Sequence, residues 1–188
     1  MARARSPEKR EAILQAAAHE IAKAGLGAST AKIAAAAGLA EGTLFTYFPS
    51  KGDLFNELYL ALKTEAYKRI HAGFPHKAVL RERAQHIWTE YLRWAMERPD
   101  EQKVSVLLNL SPFITDATKQ CLAAERETIQ QAMDELEKVG VFASLPRGFA
   151  SSAMMAMQEA VMDTTTKLPR QRAKLVDQAF EAFWRMAE

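Results

Sequence analysis

Cysteine occurs once, at Cys121, so neither an internal disulfide framework nor a zinc site built from several cysteines can form. Glycine (8) and proline (7) are sparse for 188 residues, which argues against a turn-rich β architecture and for long helices. Long apolar runs are missing: none approaches the ~18 residues that would cross a bilayer, and no membrane partner is expected. The N-terminus lacks the apolar stretch of a secretory signal, since Met1-Ala2-Arg3-Ala4-Arg5 runs straight into Ser6-Pro7-Glu8-Lys9-Arg10-Glu11. A reducing cytoplasm is therefore the expected compartment. Excess charge of one sign is also absent, the net charge being +2.

Chemistry-bearing constellations are missing as well. The four histidines (19, 71, 76 and 86) are scattered, and Cys121 has no histidine or acid at fixed helical spacing to activate it. Glycine-rich phosphate loops do not occur. Acid pairs such as Asp134/Glu137 read as solvated helix surface. No catalytic residue, metal ligand or cofactor site is assigned, and the expectation is a binding protein rather than an enzyme.

What is present is hydrophobic residue at helical spacing, 48% of the chain, enough for a folded core. Ser6, Pro7 and Glu8 open a first helix carrying Leu14, Ala17 and Ile21, closed by Gly25 and Gly27. A second helix starts at Ser29 or Thr30 and stops at Gly38. A third runs from about Glu41 to Phe48, closed by Pro49. Ser50-Lys51-Gly52-Asp53 reads as a variant capping box opening a long fourth helix, which fades at Gly73-Phe74-Pro75. Further helices are expected over about 78–98, 102–110, 116–139, 149–167 and 170–187. The fold class is all-α, with about nine helices and no convincing strand.

The first 50 residues form one unit. Two short helices flank a tight turn at Gly38-Leu39-Ala40, the pattern of a helix-turn-helix, and Gly38 suits a left-handed reversal. Alanines 34–37 permit a close helix crossing. Residues 1–52 carry seven basic and four acidic side chains, +3, while the remainder carries 18 basic and 19 acidic, −1. A basic segment on a neutral body fits nucleic acid at one end.

The run from Thr30 to Leu54 resembles the TetR-family helix-turn-helix. The shared features are Ile33-Ala34, Ala37-Gly38, Gly42-Thr43-Leu44, an aromatic at Phe45, Tyr47-Phe48 and Ser50-Lys51, with Arg10, Ile13, Leu14, Ala16, Ala17 and Gly25 matching the first helix. The resemblance implies residues 1–52 as a DNA-binding domain and residues 53–188 as a ligand-binding and dimerisation domain. It places the third helix in the major groove of a pseudo-palindromic double-stranded operator. Glu41, Gly42, Thr43, Phe45 and Thr46 would face the DNA, with Tyr47 and Lys51 on phosphates and Thr30 and Lys32 near the backbone. Arg3 and Arg5 form a basic arm. Four positions depart from the family pattern: Ala40 for a Ser cap, Phe45 for a Tyr, Ala31 for an Arg, and an acid at Glu41.

In the body, apolar surface with isolated polar atoms stands out. Trp88, Tyr91 and Trp94 share one helix face, followed by Leu107, Leu108, Asn109 and Phe113, and by Met154, Met155 and Gln158. Such residues also serve as plain core. The resemblance implies a cavity among these helices, and with it a small, mostly apolar effector. The last two helices are apolar on more than one stripe, through Met157, Ala160, Val161, Val176, Phe180, Phe183 and Trp184. The family pairs these helices into an intermolecular four-helix bundle, so a homodimer is expected. The reading is thus a homodimeric repressor released by ligand. The alternative is a helical dimeric adaptor whose helix-turn-helix no longer binds DNA, motivated by Glu41 and Phe45.

Overall fold

The computed structural model describes residues 6–188. Ten α-helices follow in order: α1 Pro7–Ala24, α2 Thr30–Ala36, α3 Glu41–Tyr47, α4 Lys51–His71, α5 Leu80–Glu97, α6 Pro99–Asn109, α7 Asp116–Cys121, α8 Ala123–Leu136, α9 Phe149–Lys167 and α10 Arg172–Trp184. Short 3₁₀ turns lie at Gly25–Gly27, Gly140–Ser144 and Pro169–Gln171, and the described residues contain no strand. The expected helix over 116–139 is two helices. Leu122 caps α7, its N–H closing a tight turn on the Lys119 carbonyl, and its side chain is buried.

The chain forms two compact units, each built from two stretches. The first comprises the described residues up to Glu65 together with Arg98–Ala123; the second comprises Ala66–Glu97 with Ala124–Glu188. The described part of the expected segment 1–52 lies wholly in the first unit. That unit also takes in α6 and α7, which carry no sequence signal for that placement.

Serine capping explains where α1, α2 and α4 begin. The Ser6 and Ser29 hydroxyls accept from the Lys9 and Lys32 amides, each at 3.2 Å. Ser50 Oγ accepts from the Asp53 amide at 3.1 Å and donates to the Asp53 carboxylate at 2.7 Å. The acid therefore grips the hydroxyl itself, rather than reaching back to a backbone N–H as in the usual box. Ile13, Ala17 and Ile21 of α1, Ile33 of α2, Leu44 of α3 and Leu54 of α4 fill the core. On another side of α1 lies α6, whose Val104 and Leu108 are fully buried and whose Lys103 ammonium donates to the Ala22 carbonyl at 2.6 Å. Asn56 joins α4 to the segment before α7. Its amide donates to the Gly52 and Phe113 carbonyls, and its oxygen accepts from the Thr115 amide and the Thr118 hydroxyl.

The second unit packs α5, α9 and α10 on one another. Its core is aromatic: Trp88, Trp94, Phe142, Phe180 and Phe183 are all at most 2% exposed. The inward stripe of α5 holds Ala84, Ile87 and Ala95 together with Trp88 and Trp94 of the expected aromatic face. Tyr91 is only half-buried, and Leu92 takes the deeper place. At the edge, the Arg83 guanidinium of α5 grips the Glu135 carboxylate of α8 with two nitrogens. That bond holds the Glu135 carboxyl below its ordinary range and raises the guanidinium.

Candidate nucleic-acid interface and ligand site

The helix-turn-helix is built around the residues joining α2 to α3. The Gly38 amide bonds the Ala35 carbonyl at 3.0 Å and the Leu39 amide bonds the Ala34 carbonyl at 2.9 Å, with Gly38 at φ 69°. A left-handed residue at this point reverses the chain within one turn, which is why glycine stands there. α3 starts without a side-chain cap because Ala40 has no oxygen to offer. It is held instead by Leu44, fully buried, and by Phe48 just beyond its end.

The face opposite Leu44 is open. Glu41, Gly42, Phe45 and Thr46 are exposed, and Thr43 and Tyr47 are half-buried. Two of the expected contact residues meet each other: the Thr30 hydroxyl at the start of α2 donates to Glu41 Oε1 at 2.5 Å. This bond gives the acid a partner within the chain and fixes its direction. Thr46 Oγ1 turns back onto the Gly42 carbonyl at 3.1 Å. The Tyr47 hydroxyl accepts from the Ser6 amide at 3.0 Å, which leaves its own proton available to donate. Lys51 lies with Nζ 5.3 Å from the centre of the Phe55 ring, and Lys32 is exposed on α2. Phe45, 40% exposed, is the one large apolar side chain on this face. Arg3 and Arg5 lie outside the described residues.

The expected ligand-lining residues fall in both compact units. Leu107, Leu108, Asn109 and Phe113 belong to the first. There Leu108 is core, the Asn109 oxygen accepts from the Tyr59 hydroxyl at 3.0 Å, and Phe113 sets its ring edge-on to Phe55 at 5.3 Å. The second unit holds Trp88, Tyr91, Trp94, Met154, Met155 and Gln158. Trp88 is structural: its Nε1–H donates to the Val176 carbonyl at 3.1 Å and its ring stacks on Phe183 at 6.2 Å. Met155 points outward, 39% exposed. Trp94, Met154 and Gln158 are buried, and Trp94 Nε1 and Gln158 Nε2 have no hydrogen-bond partner.

Of the residues expected to meet a partner chain, Phe180, Phe183 and Val161 are buried inside their own chain, at 1, 0 and 2% exposure. Met157, Val176 and Trp184 are half-buried. Val176 lines an open groove of about 390 Å³ with Leu92 and Met96 of α5. The outward strip of α9 consists of Ser152, Met155, Ala156, Ala160 and Asp163. Of this strip, sequence reasoning named Ala160 for the interface and Met155 for the ligand site, and missed Ser152, Ala156 and Asp163, which carry little hydrophobic signal. It also missed Asn56, whose four bonds depend on long-range placement.

Residues 13–58 match the sequence profile described as bacterial regulatory proteins, tetR family. That match covers α2, α3 and parts of α1 and α4, so this segment is similar to the TetR-family helix-turn-helix. Among solved structures, a tetR family transcription regulator from Shewanella sp. PV-4 is similar at TM-score 0.80 and 29% identity, covering 96% of this chain and 97% of that one. One from Marinobacter aquaeolei VT8 is similar at TM-score 0.81 and 22% identity, covering 94% of each chain. The TetR-like transcriptional regulator LfrR from Mycobacterium smegmatis, in complex with proflavine, is similar at TM-score 0.67 and 21% identity, covering 94% of this chain and 95% of that one. The last two similarities speak for the fold alone. Among the described residues no helix is long and apolar enough to cross a membrane.

Proposed function

We propose that this chain is a cytoplasmic homodimeric repressor of the TetR family, a binding protein rather than an enzyme, released from its operator by a small, mostly apolar ligand. The open face of α3, backed by buried Leu44 and reached across the Gly38 turn, is the observation that carries the reading. Residues 1–52 act as the DNA-binding part and residues 53–188 as the ligand-binding and dimerisation part. Thr43, Thr46 and Gly42 approach the groove, and Phe45 offers an apolar contact of the kind a thymine methyl accepts. Tyr47 and Lys51 hold phosphates, which positions α3 without specifying sequence. Thr30 and Lys32 lie beside the backbone. The adaptor alternative drew on Glu41 as a repulsive charge. Its hydrogen bond to Thr30 gives that charge a partner and weakens the objection.

Binding to DNA across a salt series tests the reading. The parent protein is expected to show a steep salt slope and a sequence preference. Lys51→Ala should weaken binding to every DNA and flatten the slope by about one unit. An unchanged slope removes Lys51 from the phosphate contacts, and equal affinity of the parent for all sequences overturns the repressor assignment.

For the dimer, we place the contact on the outward strip of α9, with Met157 and Trp184 at its margin, because Phe180 and Phe183 are spent inside the chain. Ala160→Glu puts a charge on that strip without disturbing the core, since Ala160 is exposed. The expected result is a folded monomer in sedimentation velocity. Operator affinity should fall by about two orders of magnitude as one half-site contact is lost. A parent that sediments as a monomer at micromolar concentration, or a variant that stays dimeric, contradicts the placement.

A further inference from the structure

Three buried hydrogen-bond donors of the second unit have no acceptor: Arg83 Nε, whose guanidinium is already held by Glu135 through its other two nitrogens, and two donors on neutral side chains. Trp94, on α5, is 0% exposed, and its Nε1–H meets no oxygen. Gln158, on α9, is 5% exposed, and its Nε2 meets none either. The two helices pack on each other within one compact unit. Gln158 interrupts an otherwise apolar stripe, following Ala150 and Met154 and preceding Val161 and Met162, all buried. The other buried polar side chain on that face is satisfied: Thr165 Oγ1 donates to the Met162 carbonyl at 3.1 Å. Packing alone would be served better by leucine or methionine at position 158. Buried donors left unpaired are rare in native proteins, and each calls for a group that completes it.

The surroundings restrict that group. Indole N–H and carboxamide N–H₂ both donate, so the missing partner is an acceptor. No lysine or arginine of the second unit is buried. Arg83, the cation at the start of α5, has two guanidinium nitrogens on Glu135 and lies roughly 16 Å along the helix from Trp94. The two histidines of the unit's interior edge are also engaged, His71 on the Glu125 carbonyl and His86 on the Ile70 carbonyl. A carboxylate or phosphate placed here would be stripped of water with no counter-charge, whereas a neutral carbonyl oxygen completes a buried N–H donor without that penalty. The Tyr91 ring lies 5.8 Å from that of Trp94, and the buried, flexible Met154 precedes Gln158 by one turn of α9.

We infer that the effector is a neutral, largely apolar molecule carrying a carbonyl-type acceptor, such as a ketone, ester or amide. Its oxygen takes the N–H bonds of Trp94 and Gln158 in the interior of the second unit. This rests on the ligand-released reading above and narrows it to a chemical class.

The test uses the full chain and three probes that share one carbon skeleton: 1-tetralone, tetralin and the corresponding tetralin-1-carboxylate. Binding is followed by calorimetry and tryptophan fluorescence. The parent should prefer the ketone over the hydrocarbon by about tenfold, the gain of a matched buried hydrogen bond, and should bind the carboxylate more weakly than the ketone. Gln158→Leu should cut that preference below about threefold while raising the unliganded melting temperature by roughly 2–4 °C, since an unpaired donor has gone. Trp94→Phe should reduce the preference in the same direction. Equal binding of ketone and hydrocarbon overturns the inference, as does a preference that survives both substitutions. So does failure of all three probes to bind, which would assign the two donors to internal water. Operator release is measured in parallel. Donor-dependent ketone binding without release leaves the acceptor assignment standing and defeats ligand release. Release by an apolar compound that ignores both substitutions does the reverse.

Discussion

Phe183→Ala is expected to destabilise the protein by about 3–5 kcal/mol, the range for deleting a large aromatic from a packed core. Phe183 is fully buried, with its ring 6.2 Å from Trp88 and 5.4 Å from Phe142. Rings cannot collapse into the space as flexible chains would, so most of the cavity persists. Urea denaturation at two protein concentrations reads the result. If Phe183 faced a partner chain, as its place on a doubly apolar terminal helix suggests, truncation would leave a folded monomer and a loss that disappears at high concentration. Burial within one chain predicts weakened folding at both concentrations, together with loss of near-ultraviolet dichroism from Trp88. A cost below about 1 kcal/mol would falsify the core assignment.

That contrast shows which parts of the molecule are legible from sequence. Hydrophobic periodicity reports that a residue is buried and is silent about what buries it. Phe180 and Phe183 were readable as buried, yet whether by their own chain or a second one depends on how α5, α9 and α10 converge. The helix-turn-helix was legible for a different reason. Its geometry rests on residues whose chemistry is local: serine caps at Ser6, Ser29 and Ser50, and glycine at Gly38. Where local punctuation fails, so does the reading. The break between α7 and α8 falls at Leu122, with neither glycine nor proline nearby, because a buried leucine closes the turn there. Likewise α6 was expected as a short helix over 102–110. Its packing on α1 is a long-range outcome that no spacing within either segment encodes. Among the candidate ligand residues, Asn109 and Gln158 looked equivalent as amides on helices. Only three-dimensional placement gives one a tyrosine partner and leaves the other unpaired.

Gly140→Ala is expected to cost about 2–5 kcal/mol, although in the sequence Gly140 marks only a helix stop. Two separate penalties combine. The residue sits at φ 53°, where a side chain carries roughly 1–2 kcal/mol of steric strain. An added Cβ would also lie 2.5 Å from the Ala187 carbonyl carbon and from the Met186 carbonyl oxygen, and 2.8 Å from Ala187 Cα. These are backbone atoms and cannot rotate aside, so the cost is that of overpacking, about 1–3 kcal/mol. Nor can the turn simply lift away, because the Val141 amide donates to that same Met186 carbonyl at 2.8 Å and ties the turn to the residues following α10. Gly73→Ala provides the control. Its φ of 72° imposes comparable strain, but nothing lies within 4 Å of its Cβ position, so a loss of only about 1–2 kcal/mol is expected there. Chemical denaturation of the two variants beside the parent separates strain from collision. Equal losses would mean that the turn relaxes away from the C-terminal residues and that the Val141–Met186 bond does not hold it. A larger loss at Gly140 assigns the excess to the close approach of the two backbones.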